Sequence, residues 1–109
     1  MLYNASKLVR DKIPEIIKSK GNTCNTCILT KDEDYKKAIK NKILEESQEL
    51  FSANDKETKM EELADLYEIL DAFCNAEGIE KKEVEKIKEE KTKKRGAFKE
   101  RIFLITYEK

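Results

Sequence analysis

Apolar residues recur every three or four positions over most of the chain, which is the spacing of amphipathic α-helices. The pattern predicts helices over about residues 12–20, 31–51, 58–77 and 81–95, the third being the most apolar. A polar stretch, residues 52–59, separates the two longest helices. The prediction is therefore a mainly α fold, a bundle of about four helices, forming one domain over residues 1–109.

Residues with known preferences for helix ends mark the predicted boundaries. Asp11 is a suitable N-cap, and Pro14 then falls in the first helical turn. Thr30 with Glu33 and Thr58 with Glu61 each fit a capping box, although Asn54 is an alternative start for the third helix. Three glycines are placed to end helices by adopting a positive φ: Gly21, Gly78 and Gly96.

Two segments outside the helices are rich in residues that favour β-structure. They are residues 23–30 and residues 100–107, and the second contains Ile102, Phe103 and Tyr107. Their composition predicts that they pair as a short two-stranded element.

The balance of charges limits the classes of partner. The chain has 109 residues, of which 42% are charged, but its 23 basic and 23 acidic residues cancel. Such a chain has no overall basic field for nucleic acid, and no apolar run is long enough to cross a membrane. We therefore expect a cytoplasmic protein without nucleic-acid or membrane partners. Because residues 63–74 are apolar on more than one side, we also expect at least a dimer through the two central helices.

Acidic residues interrupt the apolar faces of the two central helices. Glu46 and Glu49 are three residues apart, as are Glu62 and Asp65, so each pair shares one helical face. Two helices joined by a short connection tend to pack antiparallel, which brings the pairs together. Converging carboxylates without histidine favour a hard cation, Mg²⁺ or Mn²⁺. In a chain this rich in glutamate, solvated surface pairs are the alternative.

Basic residues lie near both ends of the chain, on the last helix and just before the first. The inward side of the last helix changes from aliphatic to basic at Lys91, Lys94 and Arg95. These residues either stabilise the helix C-terminus or bind phosphate oxygens. Arg10 and Lys12, just before the first helix, are candidates for the same phosphate-binding role. The alternative for Arg10 is a pair with an acid on a neighbouring helix, anchoring the N-terminus.

The arrangement Glu46-x-x-Glu49, twelve intervening residues, Glu62-x-x-Asp65 resembles the metal-binding signature of the all-α, MazG-type nucleotide pyrophosphohydrolases. The opening KLVRDKIPEII and the closing EEKTKKRGAFKERIFL resemble a small branch described as phosphoribosyl-ATP pyrophosphohydrolase-like. This branch often has Gly-Gly-Phe where this chain has Gly96-Ala97-Phe98, which matters if that backbone needs a positive φ.

The resemblance implies Mg²⁺-dependent cleavage of the α–β phosphoanhydride of nucleoside triphosphates, in homodimers or homotetramers. It implies Glu46, Glu49, Glu62 and Asp65 as metal ligands, and Glu45 or another carboxylate, Glu46 among them, as the group that orients water. Phosphate binding would fall to Lys91, Lys94 and Arg95. We expect Glu68 near the site and Asp71 outside it. The alternatives are phosphoribosyl-ATP hydrolysis in histidine biosynthesis, or a helical module that binds nucleotide or oligomerises without turnover.

Overall fold

The computed structural model describes residue 2 and residues 5–109. The chain divides into two compact units, Met1–Gly78 and Ile79–Lys109. The first unit contains helices α1 (Ile13–Ser19), α2 (Asp32–Ser52) and α3 (Lys56–Glu77), and the second contains α4 (Lys81–Arg95). The mainly α class and the four predicted helices are therefore confirmed, while the single domain over 1–109 stays a prediction.

Helices α2 and α3 pack against each other and form the framework of the first unit. Only residues 53–55 separate them, so the chain reverses direction and the two helices run antiparallel. The apolar core is small: Ile39 of α2 is fully buried and Ile69 of α3 is nearly so. Glu46 of α2 is also buried, which places a carboxylate inside the hairpin.

The N-termini of α1, α2 and α3 differ from the predictions by one or two residues, whereas α4 begins at Lys81 as predicted. Lys12 and Lys31 are the N-caps of α1 and α2, and neither donates or accepts a side-chain capping bond. The predicted caps Asp11 and Thr30 are therefore wrong, each lying one residue too early. In α2 the first turn instead carries Asp32, Glu33 and Asp34, whose charges favour the helix N-terminus.

The start of α3 has a cap that the sequence pattern did not single out. The Asp55 carboxylate accepts a hydrogen bond from the backbone N–H of Thr58 at 2.7 Å. Asp55 is therefore the N-cap, and neither Thr58 nor Asn54 has that role. The same hydrogen bond lowers the pKa of Asp55.

Replacing Asp55 by Ala should lower the melting temperature by a few degrees, because α3 loses the acceptor for its N-terminal N–H group. Asp55→Asn should retain most of the stability, since an amide oxygen also caps helices well. Because the pKa is lowered, the carboxylate's contribution is present at neutral pH and is lost as acid protonates it. Thermal denaturation by circular dichroism measures both effects, and equal melting of wild type and Asp55→Ala would refute the cap.

The glycines end the helices as predicted. Gly21 follows α1 with φ +81°, Gly78 caps α3 with φ +68° and Gly96 caps α4 with φ +82°. Ala97 is not among the residues with positive φ. Ala97 is therefore free of the backbone strain that a positive φ would cause.

The predicted two-stranded element is wrong. Neither residues 23–30 nor residues 100–107 contain a β-strand. A strand requires a ladder of backbone hydrogen bonds to a neighbour, and β-favouring composition alone does not provide one. The apolar side chains of the tail, including Ile102 and Phe103, are instead exposed.

Across the described part of the chain, every helix is too short or too polar to traverse a lipid bilayer.

Candidate metal centre

Three of the four carboxylates predicted to bind metal meet where α2 packs on α3. One carboxylate oxygen from each of Glu46, Glu49 and Glu62 lies within 4.8 Å of those of the other two. The helical spacing explains the meeting, since Glu49 lies one turn after Glu46 on α2 and Glu62 is supplied by the antiparallel partner α3. These three residues are called the carboxylate group below.

The carboxylate group extends from the interior of the hairpin to its surface. Glu46 is buried, Glu62 is half-buried and Glu49 is exposed. Within the described residues, the buried Oε2 atoms of Glu46 and Glu62 receive no hydrogen bond. Buried carboxylate oxygens without a donor are costly, so the group is short of positive charge.

Asp65, the fourth predicted ligand, is held by a different partner. The Arg10 guanidinium donates to Asp65 Oδ1 at 2.9 Å, and both side chains remain partly exposed. Asp65 is not a member of the carboxylate group. The pairing of Arg10 with an acid on a neighbouring helix, which the sequence left open, is thus the geometry that the structure adopts.

Two lysines near the carboxylate group were not identified from the sequence. Lys42 Nζ lies 2.5 Å from Glu45 Oε2 and 3.4 Å from Glu46 Oε1. Lys7 Nζ lies 3.5 Å from Glu45 Oε1. The signal for Lys42 was present, since Lys42 precedes Glu45 by three residues and Glu46 by four on one helical face. Lys7 is distant in sequence and gave no such signal.

Glu45 differs from Glu46 and Glu49 in the direction of its pKa shift. Hydrogen bonding to Lys42 lowers the pKa of Glu45. Burial raises the pKa of Glu46, and the charge of Glu49 raises it further. Loss of solvation and the neighbouring Glu62 carboxylate raise the pKa of Glu49. Burial alone would lower the pKa of Lys42, but Glu45 and Glu46 outweigh it, so that pKa is raised.

Glu49→Gln should raise the melting temperature of the chain in EDTA at about pH 7, by roughly 2–5 °C. The reason is repulsion: the raised pKa of Glu49 means that its ionised form is disfavoured in the folded state. The native chain takes up the proton as the pH falls through that raised pKa, so the advantage of the variant should shrink towards pH 4. Melting curves at both pH values test this, and a Glu49→Gln variant less stable than wild type at pH 7 would contradict it.

The other predicted site residues are placed as follows. Lys12 is the exposed N-cap residue of α1. Lys91, Lys94 and Arg95 lie exposed in the last part of α4, in the second unit. Neither Glu68 nor Asp71 joins the carboxylate group. Their positions do not test the roles predicted for these residues, so those roles stay predictions.

A groove of about 1100 Å³ has Lys7, Lys42 and Glu45 in its lining but none of the three members of the carboxylate group. Its walls come from residues 5–17, residues 24–29 and residues 34–45 of α2. Leu8, Ile13 and Tyr35 contribute apolar surface, and Arg10 and Lys42 contribute positive charge. The volume is slightly above the roughly 300–1000 Å³ that small-molecule pockets usually have.

The carboxylate group has the chemistry that a hard divalent cation requires. All three donors are carboxylate oxygens, which are the ligands that Mg²⁺ and Mn²⁺ prefer. The unpartnered oxygens of Glu46 and Glu62 would gain a positive partner from such an ion. The residues present therefore fit the cation that the sequence predicts.

Comparison of the chain with protein families, with curated proteins and with solved structures gives no match.

Proposed function

We propose that the protein is a Mg²⁺-dependent nucleoside triphosphate pyrophosphohydrolase that releases a nucleoside monophosphate and pyrophosphate. The observation that carries the proposal is the convergence of Glu46, Glu49 and Glu62, where one buried oxygen of Glu46 and one of Glu62 have no donor among the described residues. The resemblance of the acidic spacing and of both chain ends to the MazG-type enzymes supports the choice of reaction.

In this proposal the carboxylate group would hold the cation, with Asp65 as a fourth ligand. When bound, Mg²⁺ supplies Lewis-acid polarisation of a phosphoryl oxygen and neutralises charge that develops on the phosphates. The absence of a histidine from the chain is consistent with water as the nucleophile, since no serine–histidine or cysteine–histidine pair is available.

Water must lose a proton as its oxygen attacks the α-phosphorus and the bond to the bridging oxygen of pyrophosphate breaks. Glu45 is poorly placed to accept that proton, because Lys7 and Lys42 each engage one of its oxygens. Glu46 belongs to the carboxylate group and Glu45 does not, so we assign the proton to Glu46 and a charge-balancing role to Glu45.

The groove beside the carboxylate group would take the nucleoside. Its apolar side chains suit a base, and Arg10 and Lys42, which also line it, suit phosphate oxygens. Lys91, Lys94 and Arg95 remain proposed phosphate-binding residues on the resemblance, and Lys12 remains one on its position before α1.

A homodimer or homotetramer in the cytoplasm belongs to the same proposal. It is supported by large apolar side chains that are exposed on both central helices, including Leu44 and Phe51 on α2 and Tyr67 on α3. Burial of such side chains between copies would complete a core that is small in one chain.

A screen of canonical and modified nucleoside triphosphates with Mg²⁺ tests the proposal, provided that pyrophosphate and orthophosphate are measured separately. Pyrophosphate without orthophosphate, from at least one triphosphate and lost in EDTA, is the expected result. Phosphoribosyl-ATP is included, and turnover of that compound alone would transfer the assignment to histidine biosynthesis. Binding of nucleotides with no product would instead support a module without turnover.

A further inference from the structure

The segment before α1 is tied to the α2–α3 hairpin by two cations. Arg10 donates to Asp65 at 2.9 Å, and Lys7 lies 3.5 Å from Glu45. The Arg10 side chain is 56% exposed, so its guanidinium can leave Asp65 without stranding a buried charge. The arginine also borders the groove, where a released guanidinium would meet an anionic ligand.

Asp65 occupies a position suited to two competing cations. It lies one turn after Glu62 on α3 and therefore on the same helical face as that member of the carboxylate group. Of the four predicted metal ligands, Asp65 lies outside the carboxylate group, and Arg10 holds it at hydrogen-bonding distance. A guanidinium and a divalent cation at the same carboxylate repel each other, so each weakens the binding of the other to Asp65.

We propose that Arg10 is a positioning residue that competes with the divalent cation for Asp65. Without the cation, Arg10 holds Asp65 aside and fixes the N-terminal segment to the hairpin. When the cation binds, Asp65 turns to it, and the guanidinium becomes available to phosphate oxygens in the groove. Cation binding and anion binding are then coupled, and each strengthens the other. This inference rests on the proposed cation site but does not require hydrolysis.

Calorimetric titration of Mg²⁺ into metal-free wild type, Arg10→Gln, Asp65→Asn and the double variant tests the competition. Arg10→Gln should bind Mg²⁺ about twofold to fivefold more tightly, as loss of a partly exposed ion pair permits. In the Asp65→Asn background the same change should have no effect. Lys18→Gln is the matched control, because it removes one positive charge from an exposed position on α1. It should leave the Mg²⁺ affinity unchanged within error.

Melting in EDTA separates competition from simple anchoring. Arg10→Gln should melt at a lower temperature than wild type and bind Mg²⁺ more tightly. Lower melting with unchanged Mg²⁺ affinity would overturn the competition and leave only an anchor. Should Arg10→Gln fail to fold, Arg10→Met replaces it, because methionine removes the charge but keeps an aliphatic side chain, and a Mg²⁺ affinity equal to wild type would overturn the proposal.

The outcomes also separate this inference from the proposed reaction. Coupled Mg²⁺ affinities without pyrophosphate release would support the competition and refute the hydrolase. Failure of every variant, wild type included, to bind Mg²⁺ would overturn both the competition and the cation site.

Discussion

Glu62→Gln should lower kcat/KM for Mg²⁺-dependent pyrophosphate release at least about a hundredfold. The substitution removes a negative oxygen donor from the carboxylate group while keeping the size of the side chain. A bound cation contributes several kcal/mol to stabilising phosphoryl charge, and about 1.4 kcal/mol corresponds to a tenfold change in rate. A hundredfold loss therefore needs only part of that contribution to disappear.

Glu61→Gln is the matched control for this variant. Glu61 is adjacent in the chain, undergoes the same change of charge, is exposed and lies outside the carboxylate group. Its kcat/KM should stay within about twofold of wild type, and neither variant should melt at a markedly lower temperature. Near-normal activity of Glu62→Gln, or equal losses in both variants, would remove the carboxylate group from the reaction.

The protein should have a solution mass at least twice the 12.7 kDa of one chain at micromolar concentration. Helix α3 carries a second apolar stripe at spacings of three, four and three residues: Met60, Leu63, Tyr67 and Leu70. All four side chains are exposed in the single chain. Fully burying such a side chain contributes about 1.5–3 kcal/mol, so a shared stripe can stabilise a dimer. Stripes with this spacing pack knobs-into-holes between helices.

Leu63→Lys combined with Tyr67→Lys should shift the mass to that of one chain, because two lysines would face two others across the symmetric contact. Glu61→Lys combined with Asn75→Lys is the control, since these exposed positions lie outside the stripe and should preserve the oligomer. Light scattering coupled to gel filtration distinguishes the species. A monomeric wild type would contradict the prediction, as would an unchanged mass for the stripe variant.

The helices could be predicted because their signals are local. The last residues of α3 and α4 follow from glycines that adopt positive φ. The starts were less predictable, since several acidic and hydroxyl residues cluster there and only one geometry is realised. Asp55 excludes its neighbours as the cap because its carboxylate alone reaches the Thr58 N–H. The β element failed because pairing depends on two segments that are far apart in the chain.

The candidate site was also predictable only where its contacts are local in the sequence. Helical spacing brought Glu46, Glu49 and Glu62 together, and it also contained the position of Lys42, which was not read from it. The partner of Asp65 could not be chosen by spacing, because Arg10 is 55 residues away. The sequence left two roles open for Arg10, an ion pair with an acid on a neighbouring helix and a phosphate-binding group. The folded chain shows the ion pair, with Asp65.

Calorimetric titration of Mg²⁺ into metal-free wild type and into Glu46→Gln tests most directly whether the carboxylate group holds a divalent cation. Glu46 is the most buried member of the group, and among the described residues its Oε2 has no donor, so its loss should weaken binding most clearly. The expected result is one saturable site per chain in wild type, with at least about tenfold weaker binding in Glu46→Gln. No Mg²⁺ binding by wild type at millimolar concentration, or equal affinities in the two proteins, would contradict the proposed cation site.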